Sequence, residues 1–163
     1  VECCGHLSAF TIHEEQYESN PDTDAFWGIP SRNMNYRLKD VVDVGDNFLY
    51  EYDFGSTTEL VLSIHSCRDG EKKNNEIVIL SRNNPPKILC SNCEQNEAKW
   101  VNPEGYYEGE PFWCDECLEA ENDEEGEDYE LEFLLPVSNS PRMGVCGYEG
   151  SDSYPDQFEP DEQ

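Results

Sequence analysis

Cys90-x-x-Cys93 and Cys114-x-x-Cys117 are separated by twenty residues. Two residues between thiolates let one tight turn aim both sulfurs at a single ion, and two such knuckles complete the tetrahedron that zinc prefers. A span of about 15 to 20 residues is what a short ribbon hairpin needs between knuckles. The spacing therefore predicts one structural Zn2+ held by Cys90, Cys93, Cys114 and Cys117. Four thiolates leave no position for water, so the expected site is closed and non-catalytic. The competing reading of the same residues is two disulfides or four thiols. The Cys-x-x-Cys pairing, and opening residues with neither a basic start nor an apolar stretch, favour a metal in a reducing cytoplasm.

Other residues offer weaker chemistry. His6, His13 and His65 could join Cys3, Cys4 or Cys67 in a second metal site, but no pair among them has a known ligand spacing. Buried thiols, with Cys146 among them, and ordinary histidines are the simpler expectation. Gly144-x-x-Gly147-x-x-Gly150 has the wrong first spacing for a dinucleotide fingerprint and reads as a turn-rich loop. Asp53-Phe54-Gly55 is no kinase magnesium motif, since neither the glycine loop nor the catalytic-loop signature accompanies it. Gly55 is read instead as the turn residue that closes a strand. Residues 119–132 hold nine acids in fourteen positions. They do not follow the ligand order of a calcium loop and are expected to form a solvated, repulsive surface.

The elements that position these groups are mostly strands. Residues 6–12 alternate, and a loop is expected from there to about residue 34. Leu38 to Val42 suggests one or two helical turns closed by Gly45. In Phe48-Leu49-Tyr50-Glu51-Tyr52-Asp53-Phe54 the aromatics fall on every second position, with Glu51 and Asp53 on the other face. Leu60, Leu62 and Ile64 alternate again, giving a hairpin with one face toward a core. Ile77 to Leu80 reads as a strand buried on both faces, ended by Pro85 and Pro86. Leu131, Phe133 and Leu135 alternate into a late strand.

The expected fold class is α+β and strand-rich. It comprises an antiparallel sheet core, a small Cys4 zinc-ribbon module and an acidic, partly disordered C-terminal tail. The corresponding segments are 1–84 for the core, 85–118 for the ribbon, 119–150 for the acidic segment with a return strand and Gly-rich loop, and 151–163 for the disordered tail.

Tyr50-Glu51-Tyr52-Asp53-Phe54-Gly55, preceded by Gly5-His6-Leu7 and Phe10, resembles the plasmid pRiA4b ORF-three-like family, also met as transposon passenger proteins. The stretch from Leu135 to Tyr148 resembles a zinc-ribbon-bearing subgroup of that family. The resemblance implies a compact α+β domain with no established reaction. It also implies a further strand and helix upstream of Val1, hence an N-terminal truncation. Many members continue after Asp-Phe-Gly with an acid and then Trp-Glu-His. Here those positions read Ser56 and Thr58-Glu59-Leu60, so of that group Glu59 alone remains.

Charge narrows the function classes. The chain has 37 acidic and 10 basic residues, a net charge of −27. From residue 100 onward, 20 acids face one base, Arg142. Affinity for a nucleic-acid backbone comes from neutralised phosphates, so direct binding is disfavoured, as is an anionic membrane surface. No apolar run approaches the roughly 18 residues of a membrane helix. The leading expectation is a non-enzymatic interaction module with a basic protein partner. A sharper form is a nucleic-acid mimic that blocks a basic DNA-binding protein. The rival class is an enzyme with a pocket around Tyr50, Tyr52, Asp53 and Glu59, where tyrosines and carboxylates on a sheet face could do acid–base work. Oligomeric state has no signal in the sequence.

Overall fold

The computed structural model describes residues 4–22, 30–70, 79–106, 109–125 and 133–150. The chain divides into two compact units, Glu2–Val78 and Ile79–Gln163.

The first unit is built on a five-stranded sheet of β1 (Ser8–Ile12), β2 (Glu15–Glu18), β3 (Arg32–Asn33), β4 (Asn47–Tyr52) and β5 (Thr58–Ser63), in the order β3-β2-β1-β4-β5. The expected antiparallel sheet holds from β2 to β5, but β3 adds to β2 in parallel, so the sheet is mixed. The loop expected between residues 13 and 34 is corrected in the same place. Its first residues are a two-residue hairpin in which His13 and Glu14 both have positive φ (49° and 67°). That geometry normally signals itself through Asn-Gly or Asp-Gly, and neither is present. The helical turn expected at Leu38 is a 3-10 turn over Leu38–Asp40, and Gly45 follows it with φ 103°.

The aromatic alternation settles the register. Phe10 pairs with Tyr50, and Tyr50 with Leu60, on one face. Phe48, Tyr50 and Tyr52 are buried, and the Phe10 and Tyr50 rings lie 4.6 Å apart. Ile12, Tyr17 and Phe48 form the centre of this core, with Met34, Val41, Val42, Leu62 and Ile64 packed around them. Burying each large apolar side chain is worth about 1.5–3 kcal/mol.

Asp53 departs from the alternation. It was expected beside Glu51 on the open face, and Gly55 was expected to supply the turn. Instead Asp53 is buried with φ 63°, while Gly55 is not left-handed. The Asp53 carboxylate accepts the N–H groups of Gly55 (3.2 Å) and Ser56 (3.3 Å). Asp tolerates the left-handed region because its side chain can satisfy its own turn in this way.

The second unit contains β6 (Trp100–Val101), a 3-10 turn (Glu104–Tyr106), β7 (Phe112–Trp113), the helix α1 (Asp115–Glu125) and β8 (Leu135–Pro136). The strands form an antiparallel sheet ordered β7-β6-β8. Three expectations change here. Ile79 and Leu80 lie outside any strand, and Leu80 is 92% exposed; Ile77 and Val78 fall outside the described residues. The start of the acidic run, through Glu125, is helical. Leu135 is buried in β8 whereas Phe133 is exposed, so the alternation into this strand fails; Leu131 falls outside the described residues. The tail expected to be disordered, 151–163, also lies outside them. Among the described residues, no helix is long and apolar enough to cross a membrane.

Candidate metal centre

The first knuckle is shaped by backbone bonds around Cys90. Its N–H donates to the Asn96 carbonyl (2.9 Å), and its carbonyl accepts the Glu94 N–H (2.9 Å). Glu94 has φ 54°, which turns the chain sharply after Cys93. Leu89 and Glu97 form an isolated antiparallel bridge that closes the base of the loop. Ser91, between the two cysteines, ties the loop to β7. Its N–H donates to the Phe112 carbonyl (2.7 Å), and its hydroxyl accepts the Phe112 N–H (3.1 Å).

The second knuckle is not a ribbon turn. Cys114 follows β7 directly, and Cys117 sits in the first turn of α1. The two knuckles were expected on neighbouring strands; the second instead occupies a strand-to-helix junction. That position has a physical consequence, because the first N–H groups of a helix have no intrahelical partner and the helix dipole is positive there. Both favour anionic sulfur. Trp100 fixes the junction by donating its indole N–H to the Asp115 carboxylate (2.8 Å). The twenty-residue connection is compact at Gly105, where a Cβ would meet the Glu110 carbonyl oxygen at 2.9 Å and the Pro111 Cα at 3.1 Å.

These elements bring Cys90, Cys93, Cys114 and Cys117 together, with the four sulfurs all within 4.8 Å of one another. Cys90 and Cys114 are buried, and Cys93 and Cys117 are half-buried. The Cys93 and Cys114 sulfurs are 3.9 Å apart, and none of the four is in a disulfide. A disulfide would need about 2.05 Å. Zinc bonded to sulfur at about 2.3 Å in a tetrahedron puts its sulfurs about 3.8 Å apart. The four residues therefore fit a tetrahedral metal ion.

Proton affinities follow from the same geometry. The backbone N–H groups of Asn96 and Gln95 lower the Cys93 thiol to about 7. Burial works against ionisation of Cys90, but the backbone N–H groups of Cys93, Cys114 and Asn92 outweigh it and lower its pKa. Cys117 is pushed up to about 12, chiefly by its bond to the Cys114 sulfur and then by burial. Backbone N–H groups thus favour ionisation at Cys93 and Cys90, and the neighbouring sulfur opposes it at Cys117.

Asn96 is a member of the site that sequence spacing does not reveal. Its side-chain N–H groups reach the Cys114 sulfur (3.8 Å) and the Glu116 carboxylate (2.8 Å), linking the two knuckles. A lone Asn six residues past a cysteine carries no signal by itself. Phe112 and Trp113 lie in β7 opposite Val101 and Trp100, whereas Leu89 is exposed.

In the first unit, Tyr50, Tyr52 and Asp53 are buried, and Glu59 is exposed opposite Glu51 on the other face of the sheet. The structure groups Tyr52 and Asp53 with His6 and leaves Glu59 apart. The Tyr52 hydroxyl accepts the N–H groups of Cys4 (3.2 Å) and His6 (3.3 Å), and His6 Nε2 lies 3.7 Å from the Asp53 carboxylate. Of the other residues named for a second metal site, His13 pairs with Asp46 at 2.9 Å, and His65, Cys67 and Cys146 are exposed. Cys3 falls outside the described residues. Gly144, Gly147 and Gly150 all have positive φ, as a turn-rich loop requires.

Comparison with curated proteins and with solved structures gives no match. The family model described as plasmid pRiA4b ORF-3-like protein matches residues 3–89, which include the whole five-stranded sheet and end just before Cys90. That match covers more than half of the 163 residues, and the chain belongs to the plasmid pRiA4b ORF-3-like protein family.

Proposed function

We propose that the protein is a zinc-stapled, non-enzymatic interaction module that presents an acidic surface to a basic protein partner. The closed set of four sulfurs carries this reading. A metal with four thiolate ligands has no open position for water or substrate, so its contribution is to hold the second unit together. Soft sulfur ligands in a tetrahedron suit zinc, and native mass spectrometry of the purified chain distinguishes it by mass from iron.

Charge supports the other half of the reading. The second unit carries 22 acids against four bases, the first unit 15 against six. Such a field speeds encounter with basic surfaces and repels phosphate backbones. The family description names a plasmid, and proteins that grip a DNA backbone do so with basic residues. Pull-down from a native lysate at low salt is expected to enrich a basic protein, with retention falling as salt rises. Consistent failure to enrich one would overturn the reading. If the captured partner loses its DNA when the chain binds, the function narrows to nucleic-acid mimicry.

A further inference from the structure

The first unit holds a concavity separate from the metal centre, lined by the β1–β2 hairpin, β3 and the segment around the Leu38–Asp40 turn. Its polar part encloses about 430 Å3 and its apolar part about 100 Å3. The two parts share Ile12, Tyr17, Tyr36 and Val41, so a single occupant can reach both. The larger volume lies within the range of about 300–1,000 Å3 typical of ligand pockets.

The mouth of the cleft is apolar where solvent should favour polar groups. Tyr36 is 48% exposed and Leu38 is 55% exposed. Exposed large apolar groups rimmed by charge mark interaction surfaces. The rim carries Asp40, Asp43 and Glu15, with Lys39 and Arg32 as cations. Glu15 is already engaged, binding Arg32 (2.7 Å) and accepting the Tyr17 hydroxyl (3.2 Å). The carboxylates of Asp40 and Asp43 make no hydrogen bond or ion pair among the described residues.

Arg32 shows what these walls accept. Its guanidinium lies 6.0 Å over the Tyr17 ring while bonded to Glu15, a cation held between an aromatic face and a carboxylate. Tyr36 stands edge-on to Tyr17, with ring centroids 5.3 Å apart. Tyr36, Asp40 and Asp43 line the same cleft, so an aromatic ring and carboxylates are also available there to a second cation.

We infer that this cleft receives an arginine side chain from an apolar-flanked basic segment of the partner protein. The aliphatic stem and its apolar neighbours cover Met34, Leu38 and Val41, and the guanidinium meets Tyr36, Asp40 and Asp43. Arginine is favoured over lysine because its planar group stacks on a ring and bridges two carboxylates. The inference rests on the interaction reading above and adds its contact point.

Calorimetric titration of the zinc-loaded full chain with the capped peptide Leu-Arg-Leu-Arg-Leu-Arg tests it. Asp40→Asn/Asp43→Asn is expected to weaken binding about tenfold, the sum of two well-placed exposed ion pairs. Tyr36→Ala is expected to weaken it about fivefold through the lost cation–ring contact. All three side chains are exposed, so amide spectra of the variants should match the wild-type fold. Equal affinity in the wild type and both variants overturns the cleft and leaves the interaction reading standing. No affinity of the wild type for the peptide also overturns the cleft, and capture of a basic partner from lysate then decides the wider reading separately.

Discussion

Replacing one buried ligand, Cys114→Ser, or stripping the metal with a strong chelator should unfold the second unit. Zinc held structurally by such a site would contribute about 10–16 kcal/mol to folding at pH 7. Among the described residues, the apolar core that would have to replace it is small: its non-cysteine members are Ala98, Val101, Leu135 and Tyr148. The larger three contribute on the order of 1.5–3 kcal/mol each. Ordering the chain costs about 1–2 kcal/mol for every residue fixed. Whole domains are stable by only about 5–15 kcal/mol, so loss of the metal exceeds what the unit can withstand. Trp100 and Trp113, paired across β6 and β7, report the change through tryptophan fluorescence. Their emission should shift to the red on metal removal, and amide protection should vanish across the strands of the second unit. The five-stranded sheet has its own core and should keep its protection. If the second unit holds its protected amides after complete metal removal, the staple argument is wrong.

Three further outcomes follow from the geometry. Backbone N–H groups lower the Cys93 thiol to about 7, whereas Cys117, raised to about 12, must release its proton when the metal binds. Metal retention by the loaded chain should therefore fall as pH drops through about 7, read as metal released to a chromogenic chelator, and retention that does not change with pH would contradict the assignment. Gly105→Ala should destabilise the second unit by about 1–3 kcal/mol, because its Cβ meets backbone that cannot rotate away; an unchanged melting temperature would show that the connection has slack. Asp53→Ala should cost about 1–3 kcal/mol in the first unit by leaving the Gly55 and Ser56 N–H groups without their acceptor, and Asp53→Asn should recover most of it. Equal losses in the two variants would place the cost in the His6 contact instead.

What the sequence reveals here depends on how local the cause is. The four clustered cysteines and the β4–β5 hairpin are legible because spacing and alternation are local. Cys-x-x-Cys needs only one turn to converge, and every second residue of Phe48-Leu49-Tyr50-Glu51-Tyr52 must share a face once the segment is extended. The hairpin at His13-Glu14 is hidden for the opposite reason. Two residues with Cβ atoms adopt left-handed geometry there because the pairing of Ile12 with Glu15 and Phe10 with Tyr17 outweighs their own preference. Ile79 and Leu80 mislead in the same way, since an apolar run signals burial only if a partner strand arrives.

Asp53 and the second knuckle show where pattern gives way to chemistry. Alternation assigns Asp53 to the open face, yet a carboxylate that can satisfy two N–H groups of its own turn is worth more at the end of β4 than one more residue of strand. Acid-rich sequence after Cys114 suggests only a repulsive surface, yet Asp115 and Glu116 are favourable residues for a helix start. The same first turn aims Cys117 at the other sulfurs, and the helix dipole favours the thiolates that a metal requires. On the proposed reading, acidity in this unit has two separable roles. Near Cys114 it starts the helix that completes the metal site, and elsewhere it sets the field that a basic partner would meet. Neutralising Asp115 and Glu116 should therefore weaken metal retention, while neutralising acids outside the first turn of α1 should weaken only the capture of basic partners.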